Sequence, residues 1–325
     1  MSHISLPLAT YLPNVSALAY GCMGLGGGWD AKPVSRANIA QANDCVNTAL
    51  ESGINFFDHA DIYTLGKAEQ VFGEVLAQRP ELRKRIYIQS KCGIRFSDDQ
   101  GPKRYDLSAD WIRESVEGSL RRLNTDYLDV LMLHRPDPLM QAEEIARVFD
   151  ELRSAGKVHY FGVSNMHHHQ IAYLQQALDA PLVANQIEAS LLKQDWIDEG
   201  VYAGNSDGQD INFNAGTLEY CRREHMQLQS WGSLAQGLYS GRAVSDKSEA
   251  VIRTSVLVAK LAAAYNVSPE AIVLAWLIRH PANIQPVIGS TDCGRIAGAS
   301  QAGNITLSRE HWYALYESAK GMELP

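Results

Sequence analysis

Short apolar runs recur eight times along this chain, and that alternation limits its fold more than any other feature. The runs are "ALAYG" (17–21), "INFFD" (54–58), "IYIQSK" (86–91), "LDVLMLH" (128–134), "VHYFGVS" (158–164), "LVANQIE" (182–188), "MQLQSWG" (226–232) and "IQPVIGS" (284–290). Between them lie stretches with apolar residues three and four apart, such as Ile39, Val46 and Leu50, or Ile112, Val116, Leu120 and Leu123. Apolar strands that alternate with amphipathic helices are buried on both faces, as in a parallel sheet. Eight such units predict an α/β fold, a single closed (β/α)8 TIM barrel, rather than an open doubly wound sheet. A chain of 325 residues can form it as one domain over 1–325.

Local signals set some boundaries. Pro33 and Ser35 delay the first helix to about Arg36, and Ser108 marks the start of the third. A polar insertion over 190–214 follows the sixth strand and is expected to wall a pocket, together with Trp29 and the loop 96–106. Two helix-like stretches, 251–265 and 268–280, separate the seventh and eighth strands. The loop after the first strand crowds Gly21, Gly24, Gly26, Gly27 and Gly28, yet no helix N-terminus follows closely, so it is not a dinucleotide-binding fingerprint.

Composition excludes several function classes. A net charge of −8 without a basic cluster argues against nucleic acid and anionic membrane as partners, and the longest strongly apolar run, 271–278, is too short to span a bilayer. No signal peptide is visible at the N-terminus, and five scattered cysteines without CxxC spacing fit reduced thiols in a cytoplasmic protein. Three consecutive histidines, 167–169, project in different directions from a helix start and form no metal site.

In a barrel, chemistry sits at the C-terminal ends of the strands. Asp58 and Lys91 end neighbouring strands and can pair, since a desolvated charge without a partner is costly. An ammonium at Lys91 is expected to bring down the pKa of a nearby tyrosine, Tyr63, making it a proton donor, while His134 bonds the same substrate oxygen. Such a site protonates an oxygen but holds no redox group, so electrons must come from a cofactor. Ser164, Asn165 and Gln186 suit a carboxamide, and Trp231 offers a flat face to a ring.

These segments resemble the motifs of the aldo-keto reductase superfamily: "FFDHADIY", with Asp58 and Tyr63 five apart, "IQSKCG", "LMLHRPDP", "GKVHYFGVSNM", "NQIE" and "WGSLAQGLYSGR", in order over about 17–303. The resemblance implies a barrel that binds NADPH across its mouth and reduces a small-molecule carbonyl substrate, with Tyr63 as general acid and Lys91, Asp58 and His134 completing a tetrad. It also implies that Gly21, Cys22 and Met23 lie beside the nicotinamide, where the glycine allows close backbone approach. Ser233, Leu234 and Gly237 would follow the pyrophosphate, and Ser290 and Arg295 the adenosine 2′-phosphate. Gly289 stands where members often carry a lysine, and Gly298 and Ala299 where they carry a Glu-Asn pair. That thinner clamp leaves NADH as an alternative cofactor. Two rival functions stand beside this one: a cofactor-binding regulatory subunit with little turnover, and a Schiff-base lyase using Lys91.

Overall fold

The structure, a computed structural model, describes residues 6–325. Eight of its strands fall on the eight apolar runs: β1 (Ala19–Gly21), β2 (Phe56–Asp58), β3 (Tyr87–Cys92), β6 (Leu128–Leu133), β7 (Val158–Ser164), β8 (Leu182–Glu188), β9 (Gln227–Trp231) and β10 (Gln285–Ile288). They close a parallel barrel in the order β1-β10-β9-β8-β7-β6-β3-β2. Two short strands outside the barrel, β4 (Ile94–Arg95) and β5 (Arg104–Tyr105), form an antiparallel hairpin within the loop after β3.

The helical layer consists of α1 (Arg36–Glu51), α2 (Lys67–Gln78), α3 (Ala109–Leu123), α4 (Ala142–Ser154), α5 (His168–Gln175), α6 (Asp195–Val201), α7 (Thr217–Arg223), α8 (Glu249–Tyr265), α9 (Pro269–Ile278), α10 (Cys293–Ser300) and α11 (Arg309–Lys320). Helix α1 starts at the predicted residue because Ser35 and Asn38 form a reciprocal capping box, and Ser108 caps α3. Among the described residues no single helix is long and apolar enough to cross a membrane.

Strand side chains alternate, and this divides the core in two. Phe57, Ile88, Leu131 and Leu133 face the helices, whereas Phe56, Val130, Met132 and Ala184 fill the barrel interior. The interior cluster also takes Leu8 and Leu12 from an N-terminal segment that includes the 3-10 turn Pro7–Thr10, an element the apolar pattern did not foretell. The same period of two fixes what reaches the mouth. Asp58 follows Phe56, His134 follows Met132, Lys91 follows the buried Gln89, and Gln186 follows Ala184, each two residues further along the inward face.

Two segments near the mouth also pack against the rest of the barrel. The insertion 190–214 does not simply wall a pocket: its helix α6 joins the outer layer, where Trp196 packs edge-on against Trp276 of α9 at 5.8 Å and Asp198 accepts hydrogen bonds from Tyr316 and Lys320 of α11. The close approach at Gly21 is to a neighbouring strand, since a Cβ there would stand 2.9 Å from Val287 Cγ1 and 3.2 Å from the Ile288 carbonyl oxygen. Gly26, at φ +81°, likewise lets the loop touch the Lys67 backbone at the start of α2.

Candidate active site

At the C-terminal mouth, Lys91 Nζ lies 2.7 Å from both oxygens of Asp58, 2.9 Å from the His59 carbonyl oxygen and 3.1 Å from the Tyr63 hydroxyl. The lysine and aspartate side chains are 0% and 3% exposed, so the pair is desolvated and geometrically tight. Burial works to lower the Lys91 pKa, but Asp58 and Tyr63 outweigh it and hold the amine as an ammonium, above its ordinary value.

The tyrosine departs from expectation. Burial raises its pKa by more than the adjacent ammonium brings it down, so the phenol stands above its ordinary value rather than below it. Tyr63 is therefore a protonated hydroxyl at neutral pH, and Lys91 limits the cost of losing that proton without reversing the shift.

The loop carrying Tyr63 is fixed by its backbone. His59 N–H donates to the Gln89 carbonyl and Asp61 N–H to that of Lys91, continuing the strand pairing past β2. Thr64, Leu65 and Gly66 follow at φ 47°, 62° and 85°, all left-handed, with Thr64 Oγ1 donating to the Leu25 carbonyl at 2.9 Å. For a β-branched threonine this conformation is strained. Beneath the loop, buried Glu69 accepts from Ser90 Oγ at 2.6 Å and Arg122 Nε at 2.8 Å. Asp61 has one buried oxygen without a partner among the described residues, and burial, then the charge of Glu69, raises its carboxyl to about 7.

The strand pattern did not disclose an amide ladder inside the barrel. Gln285 Oε1 accepts from Gln229 Nε2 at 3.0 Å, and Gln229 Oε1 accepts from Gln89 at 2.9 Å and Gln186 at 3.0 Å. Gln89 and Gln186 also donate to Asp58 Oδ1, at 2.6 and 3.3 Å. Gln186 thus turns its amide nitrogen inward, so only its oxygen is left for the carboxamide contact expected of it. The spacing Gln89–Lys91 on one strand and Gln229–Trp231 on another was the available signal.

His134 faces Tyr63 edge-on, with ring centroids 6.0 Å apart, and the two are not hydrogen-bonded to each other. Burial, then the charges of Lys91 and Arg135, lowers its pKa well below the ordinary histidine value, so the ring is a neutral imidazole with one donating N–H. Ser164, Asn165 and Trp231 form a linked set: Ser164 Oγ accepts from Asn165 Nδ2 at 2.8 Å and donates to the Gln186 carbonyl, while Asn165 Oδ1 accepts from the Trp231 indole N–H at 2.9 Å. Asn165 sits at φ 57°, a conformation asparagine tolerates better than most residues.

Further round the rim, Cys22 is buried and Met23 is exposed in the turn after β1. Ser233 is buried with its hydroxyl donated to the Ser230 carbonyl, so it offers no free side-chain donor. The backbone N–H groups of Ser233 and Leu234 have no acceptor among the described residues, and they adjoin a turn in which Gly237 has φ 78°. A Cβ at Gly237 would stand 2.8 Å from Arg295 Nη2. Arg295 itself pairs with Glu270 through Nε at 3.0 Å and donates from Nη2 to Ser240, leaving Nη1 unengaged. Ser290 lies close by, its carbonyl accepting from Tyr20 and its Oγ from Asp292 N–H. Free N–H groups, a close-packed glycine and a guanidinium with an open end are a donor set that fits the phosphates of a dinucleotide.

The chain is similar to proteins of known family and fold. Residues 17–320 match the family model "Aldo/keto reductase family". A 6-dehydroglucose reductase from Agrobacterium fabrum is 35% identical over 321 residues, covering 96% of each chain. A protein of the same name from Novosphingobium aromaticivorans is 37% identical over 293 residues, 88% of each chain. Among solved structures, a glycerol dehydrogenase from Gluconobacter oxydans superposes with a TM-score of 0.76 at 23% identity, over 94% of this chain and 91% of that one, a likeness of fold.

Proposed function

Since the chain belongs to the aldo/keto reductase family, whose members are oxidoreductases of carbonyl and alcohol groups, we propose that it reduces aldehydes or ketones to alcohols with NADPH, Tyr63 acting as general acid. The observation that carries this reading is the chain of contacts from Asp58 through Lys91 Nζ to the Tyr63 hydroxyl, at 2.7 and 3.1 Å. When bound, NADPH supplies the hydride.

The residues do the rest. A carbonyl oxygen placed between the Tyr63 hydroxyl and the His134 N–H is polarised by two donors where negative charge develops. Tyr63 then gives up its proton, and the phenolate it becomes is stabilised by the Lys91 ammonium. Asp58, held by Gln89 and Gln186, keeps that ammonium in place. In this reading Gly21, Cys22 and Met23 border the nicotinamide, Ser164, Asn165 and the Gln186 oxygen meet its carboxamide, and Trp231 covers its ring. The N–H groups of Ser233 and Leu234, beside the close-packed turn at Gly237, take the pyrophosphate, and Ser290 and Arg295 the 2′-phosphate. The Glu270 pairing and the glycine at 289 leave Arg295 nearly alone in that last task, which keeps NADH as the second cofactor. The whole chain, 1–325, acts as one domain, and its five free thiols suit the cytoplasm.

A Schiff-base lyase is disfavoured, because the Lys91 amine must lose its proton to attack and four acceptors hold it protonated. The test is a fluorescence titration with NADPH and NADH, followed by a screen of aldehydes and ketones that includes 6-dehydroglucose. Tight NADPH binding with turnover is expected. Binding without turnover across the panel would favour the regulatory alternative, and a borohydride-trapped substrate adduct the lyase.

A further inference from the structure

Arg135 directly follows His134 at the end of β6, and its guanidinium carbon lies 5.7 Å from the ring centroid of Trp231 at the end of β9. Two strands, β7 and β8, stand between β6 and β9 in the barrel. The Trp231 indole spans part of that gap, its N–H bonded to Asn165 just after β7, so guanidinium and indole meet at the rim of the mouth beside His134. The arginine's charge reaches His134, where it contributes to the low pKa of that ring.

Arg135 is also unlike the other arginines. Every other half-buried arginine, from Arg79 and Arg83 to Arg122 and Arg295, donates to a side-chain oxygen. Arg135 is half-buried and has no hydrogen-bond or ion-pair partner among the described residues. The nearest acid in sequence, Asp137, is committed elsewhere, accepting from Leu107 N–H at 2.9 Å and Leu139 N–H at 2.8 Å. None of its nitrogens is among the buried unpartnered atoms, so all five donors remain open to a group entering the mouth, and their planar fork matches an oxyanion bidentately. The Trp231 face supports the cation from one side.

We propose that Arg135 is a specificity-determining residue that binds an oxyanion group of the substrate, a carboxylate in the first instance, so that anionic aldehydes or ketones are the preferred substrates. The inference rests on the reductase reading of the same mouth.

The test compares kcat/KM at saturating NADPH for matched pairs, 4-carboxybenzaldehyde against benzaldehyde and 4-oxobutanoate against butanal, with 4-formylbenzenesulfonate as the sulfonate arm. The wild type should favour the anionic member by about tenfold or more, chiefly through KM. Arg135→Gln should remove that preference and Arg135→Lys keep part of it. Absence of a preference in the wild type would overturn the proposal, as would an equal loss on both members of a pair in Arg135→Gln. So would a raised NADPH Kd in that variant, which would put the arginine on the cofactor. Should no carbonyl be reduced at all, the reductase reading fails separately, and quenching of tryptophan fluorescence by 4-carboxybenzaldehyde still reports on the contact: binding lost in Arg135→Gln supports it, and binding unchanged overturns it.

Discussion

Replacing Lys91 by methionine keeps the length of the side chain and removes its charge, and the structure sets what that should cost. The ammonium is fully buried and sits 2.7 Å from both Asp58 oxygens. Without it, the Asp58 carboxylate stays in the barrel interior with only the amide nitrogens of Gln89 and Gln186 for partners. Stranding one member of a buried pair typically costs about 3–5 kcal/mol. Lys91→Met should lose that much in equilibrium urea unfolding at neutral pH. Adding Asp58→Asn removes the stranded charge and should recover much of the loss, with a coupling toward the upper end of the ~0.5–3 kcal/mol seen for contacting residues. A deficit under ~1 kcal/mol, additive with Asp58→Asn, would show that the buried carboxylate does not depend on the ammonium.

Three further outcomes are expected. In alcohol oxidation, where tyrosinate must accept a proton, Lys91→Met should move the apparent pKa of the pH–rate profile upward, since burial and the Asp58 charge, both of which raise Tyr63, would then act unopposed; an unmoved profile with activity retained would remove the lysine from the mechanism. Arg295→Ala should weaken NADPH binding by ~1.5 kcal/mol, the low end for a charged contact at a partly exposed site, and leave NADH nearly unchanged; equal losses would assign the arginine to the fold through Glu270. Burial lowers His59 to about 3, so its contribution is fully present above its ordinary pKa and is lost as the pH falls toward 3. Asp61 is raised to about 7, so its contribution is present in acid and is lost as the pH rises from its ordinary value to 7. Relative to the wild type, His59→Leu should therefore gain stability in acid and Asp61→Asn above neutrality, read from unfolding across that range; parallel pH profiles would contradict both.

The barrel was legible because a strand buried on both faces has to be apolar nearly throughout, and eight such runs leave few other folds. Much of the mouth was legible for a related reason. Asp58, Lys91, His134 and Gln186 each continue an inward face by two residues, so their polarity stands out at the end of an apolar strand or, for Lys91, beyond a buried amide. What escaped were contacts between residues far apart in the chain. The ladder from Gln285 through Gln229 to Asp58 depends on how the strands stagger around the barrel. The Arg295–Glu270 pair joins residues 25 apart on two helices, and nothing in "GSTDCGR" announces it. Left-handed Thr64 and Leu65 carry no glycine or asparagine signal. The direction of the Tyr63 shift was misjudged because one ammonium is visible in a sequence, whereas desolvation sums over everything packed around the ring.

If Tyr63 delivers the proton while other residues hold the cofactor, Tyr63→Phe separates the two roles, since the ring remains and only the hydroxyl bonded to Lys91 at 3.1 Å is lost. NADPH affinity is measured by fluorescence titration, and carbonyl reduction by the loss of NADPH absorbance on a substrate that the wild type turns over. kcat/KM should fall ~10²-fold or more with the NADPH Kd nearly intact, and reduction at the wild-type rate would remove Tyr63 as the proton donor.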